Sequence, residues 1–111
     1  MDILDVTKEE YTKYTLNPFS KFETADFIEL NKHKADTVKY FIFGSEKKRF
    51  SLAAGIKDGV LMCPFSATFG IFSEITKNNK IQYYHEAVSI LKNWALSSNI
   101  KEIIFAAPAL F

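Results

Sequence analysis

Between Val60 and Ile75 a strand-like apolar run is broken at Pro64 and again at Gly70, and this interruption limits what the chain can build. Pro64 has no backbone N–H to give to a sheet ladder and biases Cys63 toward extended angles, while Gly70 reaches angles closed to other residues. The two bracket a non-regular loop, Phe65 to Phe69, with strand-forming residues before it (Val60 to Cys63) and after it (Ile71 to Ile75). The expected result is a bent strand, or two joined strands, with Phe65, Phe69 and Phe72 filling the space around the bend. The hydroxyls of Ser66 and Thr68 can face a ligand in a pocket wall or satisfy nearby backbone, and the residues leave both open.

The rest of the chain supplies elements on either side of this bend. Thr7-Lys-Glu-Glu10 has capping-box form and predicts a helix from Lys8 to about Tyr14, ended by Asn17-Pro18. A second helix start, Ser20 with Glu23 or Thr24 alone, predicts a helix to about Lys32 with Phe27, Leu30 and Ala35 on one face. Thr37 to Phe43 is β-branched and aromatic on both faces, Val38, Tyr40 and Ile42 against Phe41 and Phe43, which predicts a central strand. Arg49 to Ile56 alternates, with Phe50, Leu52, Ala54 and Ile56 on one face and Arg49, Ser51 and Ala53 on the other. Asp58-Gly59 then reads as a hairpin turn into a third strand, Val60 to Cys63.

Past the bend, Asn79 with Gln82 suggests a second capping box ahead of a helix from Lys80 to Ser97. Its stripe is Ile81, Tyr84, Val88, Leu91 and Ala95, widened by Ala87 and Trp94, and Asn99 suits a left-handed helix end. Lys101 to Ala107 reads as a fully buried strand, reached through the helix as a crossover and parallel to a neighbour. The order is α-α-β-β-β-β-α-β, an α+β domain with a mixed sheet. The apolar ending Ala109-Leu110-Phe111 suggests either one half of a longer protein or a terminus tucked into the fold.

Composition sets the outer limits. A length of 111 residues suits one domain, and 48% apolar residues with eleven Phe place the chain among globular proteins. A net charge of +1 makes no electrostatic case for nucleic acid, and the basic run Lys47-Lys48-Arg49 reads as a solvated turn. Cys63 has no second cysteine to pair with, which fits a reducing interior. The charged start carries no signal-like apolar stretch and nothing approaches the roughly 20 apolar residues of a membrane span. A soluble, cytoplasmic protein is expected.

Few residues carry obvious chemistry. His85 on the long helix could act as a base if a partner oriented it, and otherwise reads as a boundary histidine; His33 reads as a solvated helix end. Two histidines far apart in the sequence, with no companion cluster, point away from a metal site. Glu74 is either an exposed carboxylate or an acid or base beside the bend, and Cys63, among apolar neighbours, reads as an inert buried thiol. The four glycines form no phosphate-binding loop.

The order of elements and several stretches resemble a known group. Phe22-Glu-Thr-Ala-Asp-Phe27, Val38-Lys-Tyr-Phe-Ile-Phe43, Asp58-Gly59, Cys63-Pro-Phe-Ser-Ala-Thr-Phe-Gly70 and Trp94-Ala95 are similar to the amino-terminal half of two-domain proteins of the GNAT acyltransferase superfamily, related in plan to Fem-type aminoacyltransferases. Cys63, Thr68 and Ile71 depart from the Ser, Pro and Gly usual there, and Thr76 to Gln82 lacks the glycine loop that would hold a coenzyme A diphosphate. The resemblance implies a GNAT-like fold and a half that binds no cofactor itself, acetyl-CoA or another acyl-CoA belonging to the full-length protein. It also implies an acceptor site or interdomain interface shaped by Phe65, Ser66, Thr68, Phe69 and Gly70, with no catalytic residue assigned. The partner would be a second GNAT-like half. Two other readings stay open: an interaction module that forms a homodimer, and a small stand-alone acetyltransferase with an unconventional coenzyme site.

Overall fold

The strands expected at Thr37 to Phe43 and Arg49 to Ile56 carry apolar residues on both faces and require cover on both sides of the sheet, which the chain supplies with helices. The computed structural model describes residues 1–15, 25–63 and 72–105. Among them the order is β1 (Ile3–Val6), α1 (Lys8–Tyr14), α2 (Ala25–Asn31) with a 3-10 turn (Lys32–Lys34), β2 (Thr37–Gly44), β3 (Lys48–Lys57), β4 (Val60–Cys63), β5 (Ser73–Glu74), α3 (Ile81–Ser97) and β6 (Glu102–Phe105). The fold is α+β, with one mixed, open sheet in the order β1-β2-β3-β4-β6, and β5 paired to β3. All neighbours are antiparallel except β4 and β6, which run parallel from Val60↔Glu102 to Cys63↔Phe105. A parallel pair needs a long connection, and α3 provides it.

The two faces have separate cores. Phe41, Phe43, Phe50, Leu52, Ala54, Leu61 and Cys63 face α3, which presents Ala87, Leu91 and Ala95. Trp94 meets Phe41 edge-on with ring centres 4.8 Å apart, and Tyr84 lies 4.5 Å from Phe50. On the other face Tyr11 of α1, Ala25 and Ile28 of α2, Tyr40 and Ala53 form a smaller cluster. Thr7 caps α1 by accepting the Glu10 N–H at 3.2 Å. The β3–β4 hairpin closes through Asp58 (φ 53°) and Gly59 (φ 77°), the positive angles that an Asp-Gly turn accommodates.

Several sequence expectations need correction. The first strand was not legible: Ile3-Leu-Asp-Val6 is short and carries a charge, and it forms because β2 offers a free edge, from Ile3↔Phe43 to Val6↔Tyr40. In α2 the inward residue is Ile28, while Leu30 is 75% exposed, since only one face of this seven-residue helix meets the sheet. Ile81, placed in the α3 stripe, is 72% exposed, because the inward face of the helix is centred on Ala87, Leu91 and Ala95 and Ile81 lies to one side of it. β6 is not fully buried: it is an edge strand covered by α3 on one face, with Ile104 48% exposed. Residues 106 and 107 of that expected strand, and the start signals at 17–24, lie outside the described residues.

Arg49 also departs from simple alternation. The register shifts between Phe43↔Phe50 and Gly44↔Lys48, which leaves Arg49 as an extra residue on β3. Such a bulge re-aims a side chain. Arg49 accordingly reaches the α3 face, its guanidinium 3.7 Å from the centre of the Tyr83 ring.

The burial difference along α3 is directly testable. Leu91→Ala should cost about 2–5 kcal/mol, as for other leucines truncated in a packed core. Leu96→Ala, at a position 74% exposed, should stay within about 0.5 kcal/mol. Urea unfolding followed by circular dichroism measures both.

Candidate functional site

One edge of β3 carries two strands in succession. β4 pairs with it at Gly55, Ile56 and Lys57, and β5 at Phe50 and Ser51. The chain leaves this edge at Cys63 and is back on it at Ser73, so the bend expected from Pro64 and Gly70 joins two strands that share a neighbour. Phe65, Ser66, Thr68, Phe69 and Gly70 lie in segment 64–71, outside the described residues. Its ends are held firmly. Cys63 is buried, and Phe72 packs on Phe43 and Phe50 at 5.2 and 5.4 Å between ring centres.

Polar groups converge on this edge from both faces. On the α1 side, Thr15 Oγ1 and Ser51 Oγ are hydrogen-bonded at 2.7 Å. Ser73 stands directly opposite Ser51 in the ladder, hence on the same face, and is 3% exposed. Among the described residues its Oγ has no hydrogen-bond partner. A buried hydroxyl in that condition can satisfy a polar group arriving from outside. On the α3 side, the Tyr84 hydroxyl donates to Glu74 Oε1. Burial, and then this bond to a carboxylate, push the Tyr84 phenol above its ordinary range, so it stays a donor at neutral pH.

The other sequence candidates are placed plainly. Burial pushes the Cys63 thiol up to about 12, which leaves it protonated and unreactive. His85 is exposed and lines a shallow cleft of about 300 Å³ with Tyr84, Val88, Ser89 and Lys92. No described side chain hydrogen-bonds to it, so nothing orients it as a base. His33 sits exposed in the 3-10 turn. Among the described residues no group of three His, Cys, Asp or Glu could hold a metal ion, and no helix is long and apolar enough to cross a membrane.

Asn79 was expected to cap α3 and does not. Lys80 occupies that position without a side-chain bond, while Asn79 Oδ1 accepts from Arg49 Nη1 at 3.2 Å and its Nδ2 donates to the Thr76 carbonyl. The Thr15–Ser51–Ser73 group was missed. Two serines and a threonine scattered over 59 positions carry no motif, and only strand pairing brings them together. The one available signal was Ser51 in an otherwise apolar alternating strand.

No family model, curated protein or solved structure matches this chain. The residues and their geometry therefore carry the functional reading by themselves.

The hydroxyl group predicts contrasting mutants. Ser51→Ala strands the Thr15 hydroxyl and should cost about 1 kcal/mol, whereas Ser73→Ala removes an unsatisfied buried group and should be neutral or slightly stabilising. Urea unfolding reads the difference.

Tyr40 and Tyr84 predict a pH dependence. The Tyr40 hydroxyl donates to Glu29 Oε1 at 3.1 Å, and burial followed by the Glu29 charge raises its phenol well above the usual range. Unfolded tyrosines ionise near pH 10. Above that value the native protein holds more protons than the unfolded chain, so stability should fall as pH rises. Unfolding free energy measured from about pH 9 upward should decline, and less steeply in the Tyr40→Phe/Tyr84→Phe variant.

Proposed function

We propose that the chain is the acceptor-side, non-catalytic part of a GNAT-like N-acyltransferase system. The observation that carries this reading is the interrupted edge of β3, where β4 ends at Cys63, β5 begins at Ser73, and a buried hydroxyl waits without a partner. An acceptor with a polar head would bind there, between the Thr15–Ser51–Ser73 hydroxyls on one face and Glu74 with Tyr84 on the other. Phe65, Ser66, Thr68, Phe69 and Gly70, which lie between these two strands in the sequence, are the residues the sequence resemblance assigns to the acceptor.

Two features of the fold support the acyltransferase comparison. The antiparallel strands β2-β3-β4, followed by a crossover helix into the parallel strand β6, are in keeping with the order expected from the sequence, to which β1 is an addition. The segment where such enzymes hold a carrier's diphosphate reads Thr-Lys-Asn-Asn-Lys-Ile-Gln, without glycine, and its Asn79 is bonded to Arg49 and Thr76. The carrier would then be held by a second GNAT-like half.

A second reading has its own observation. β6 pairs only with β4 among the described residues, and Ile104 and Leu96 are exposed beside it, 48% and 74%. Sheet edges with apolar neighbours favour association, so this edge would serve an interaction module.

Thermal melting with acetyl-CoA tests the first reading. The expected result is an unchanged midpoint. A midpoint that climbs with acetyl-CoA concentration would overturn it in favour of a stand-alone acetyltransferase. Light scattering on the same sample should give a monomer mass; a dimer favours the interaction module.

A further inference from the structure

The cleft beside the β2–β3 turn carries charges of both signs. It encloses about 470 Å³ and is lined by Glu46 and Glu86 against Lys47 and Arg49, with Met1 and Tyr83 beside them. One of the two carboxylates is already matched, since Glu86 Oε1 takes the terminal ammonium at 3.2 Å. Glu46 and Arg49 are not. Among the described residues the ion pairs are Met1–Glu86, Lys32–Glu29 and Lys39–Asp5, so neither the Glu46 carboxylate nor the Arg49 guanidinium has an opposite charge within ion-pair distance.

Arg49 is nevertheless held in place. The bulge turns it toward α3, Tyr83 supports the guanidinium at 3.7 Å from the ring centre, and Asn79 Oδ1 accepts from its Nη1 at 3.2 Å. Its backbone is fixed as well, the Arg49 carbonyl accepting the N–H groups of Ile75 and Thr76 at 2.8 and 3.3 Å. Glu46 stands in the tight turn between β2 and β3, which Gly44 makes possible: its φ is +148°, and a Cβ there would strike the Lys47 carbonyl oxygen. A guanidinium fixed by a ring and a side-chain amide has lost its freedom before a ligand arrives. Its remaining N–H groups suit the two oxygens of a carboxylate.

We propose that this cleft binds a small zwitterion of the amino-acid class, its carboxylate on Arg49 and its ammonium on Glu46. The charge pattern disfavours simpler ions. A carboxylate alone would face Glu46, and an ammonium alone would face Arg49 and Lys47, whereas one molecule carrying both charges offsets each. The site lies on the α3 face, away from the Ser73 hydroxyl, and its ligand is independent of the acyltransferase reading.

Amide chemical shifts test it, with alanine, N-acetylalanine and alaninamide titrated slightly below neutral pH at matched ionic strength. The zwitterion is thereby compared with a carboxylate-only and an ammonium-only counterpart. Alanine should move the amides of Ser45 to Arg49 and of Tyr83 saturably, and each counterpart should bind about tenfold more weakly, having lost one charge-assisted contact. Arg49→Gln should lower alanine affinity about tenfold without weakening alaninamide, and Glu46→Gln should do the same without weakening N-acetylalanine. The proposal is overturned if alanine gives no saturable shifts, if either counterpart binds as tightly as alanine, or if either variant titrates like the parent protein. Should Arg49→Gln lose its folded spectrum, Glu46→Gln carries the test, Glu46 being exposed in the turn.

Discussion

The structure depends on β2 and β3 being covered on both faces at once. Phe41, Phe43, Phe50 and Leu52 are at most 1% exposed and pack under α3, while Tyr40 and Ala53 on the same two strands pack under α1 and α2. Each large side chain buried in this way contributes roughly 1.5–3 kcal/mol. The pair of strands therefore works as a hub, and the remaining elements are placed by what they can bury against it. α3 must cross over it, which forces β6 to return parallel to β4; the short β1 gains order only by pairing along its free edge.

Polar chemistry is consequently pushed to the margins of the hub. Ser51 is the one buried hydroxyl of β3, and it is compensated by Thr15 from the end of α1. Ser73, brought beside it by the second ladder on the β3 edge, is left uncompensated. Buried polar groups are normally paired, so this exception draws the proposed acceptor site to that edge. Tyr40 and Tyr84 are handled differently. Each buries its ring and turns its hydroxyl to a carboxylate, Glu29 and Glu74 respectively, which ties α2 to β2 and α3 to β5.

Two residues before Ser51 on the same strand, the same logic places Arg49. A cation at an alternating position would have entered the α1-side core, and the bulge moves it instead to the lip of the α3 face. Asn79 then serves Arg49 and Thr76 rather than the helix end, so a residue that looks like a cap from sequence is part of a side-chain network. Different chemistry thus sits two residues apart on one strand: a hydroxyl pair beside the β4–β5 break, and a guanidinium held by Asn79 and Tyr83 near the β2–β3 turn.

Period and turn chemistry alone determined most of the elements. Phe50 to Ile56 alternates because one face had to meet a core, Asp58-Gly59 turns because both residues tolerate positive φ, and Thr7 starts α1 because its hydroxyl accepts a first-turn amide. β4 ends at Cys63, and the proline that follows it in the sequence has no N–H to give a ladder. Tertiary structure alone decided what local pattern cannot encode. It ordered Ile3–Val6 by lending it a partner strand, turned Ile28 rather than Leu30 inward, and left Ile104 partly bare at the sheet's edge. It also placed Ser73 against Ser51 and Arg49 beside Asn79 and Tyr83, because a ladder between distant strands sets which side chains meet, and its register answers to the whole core.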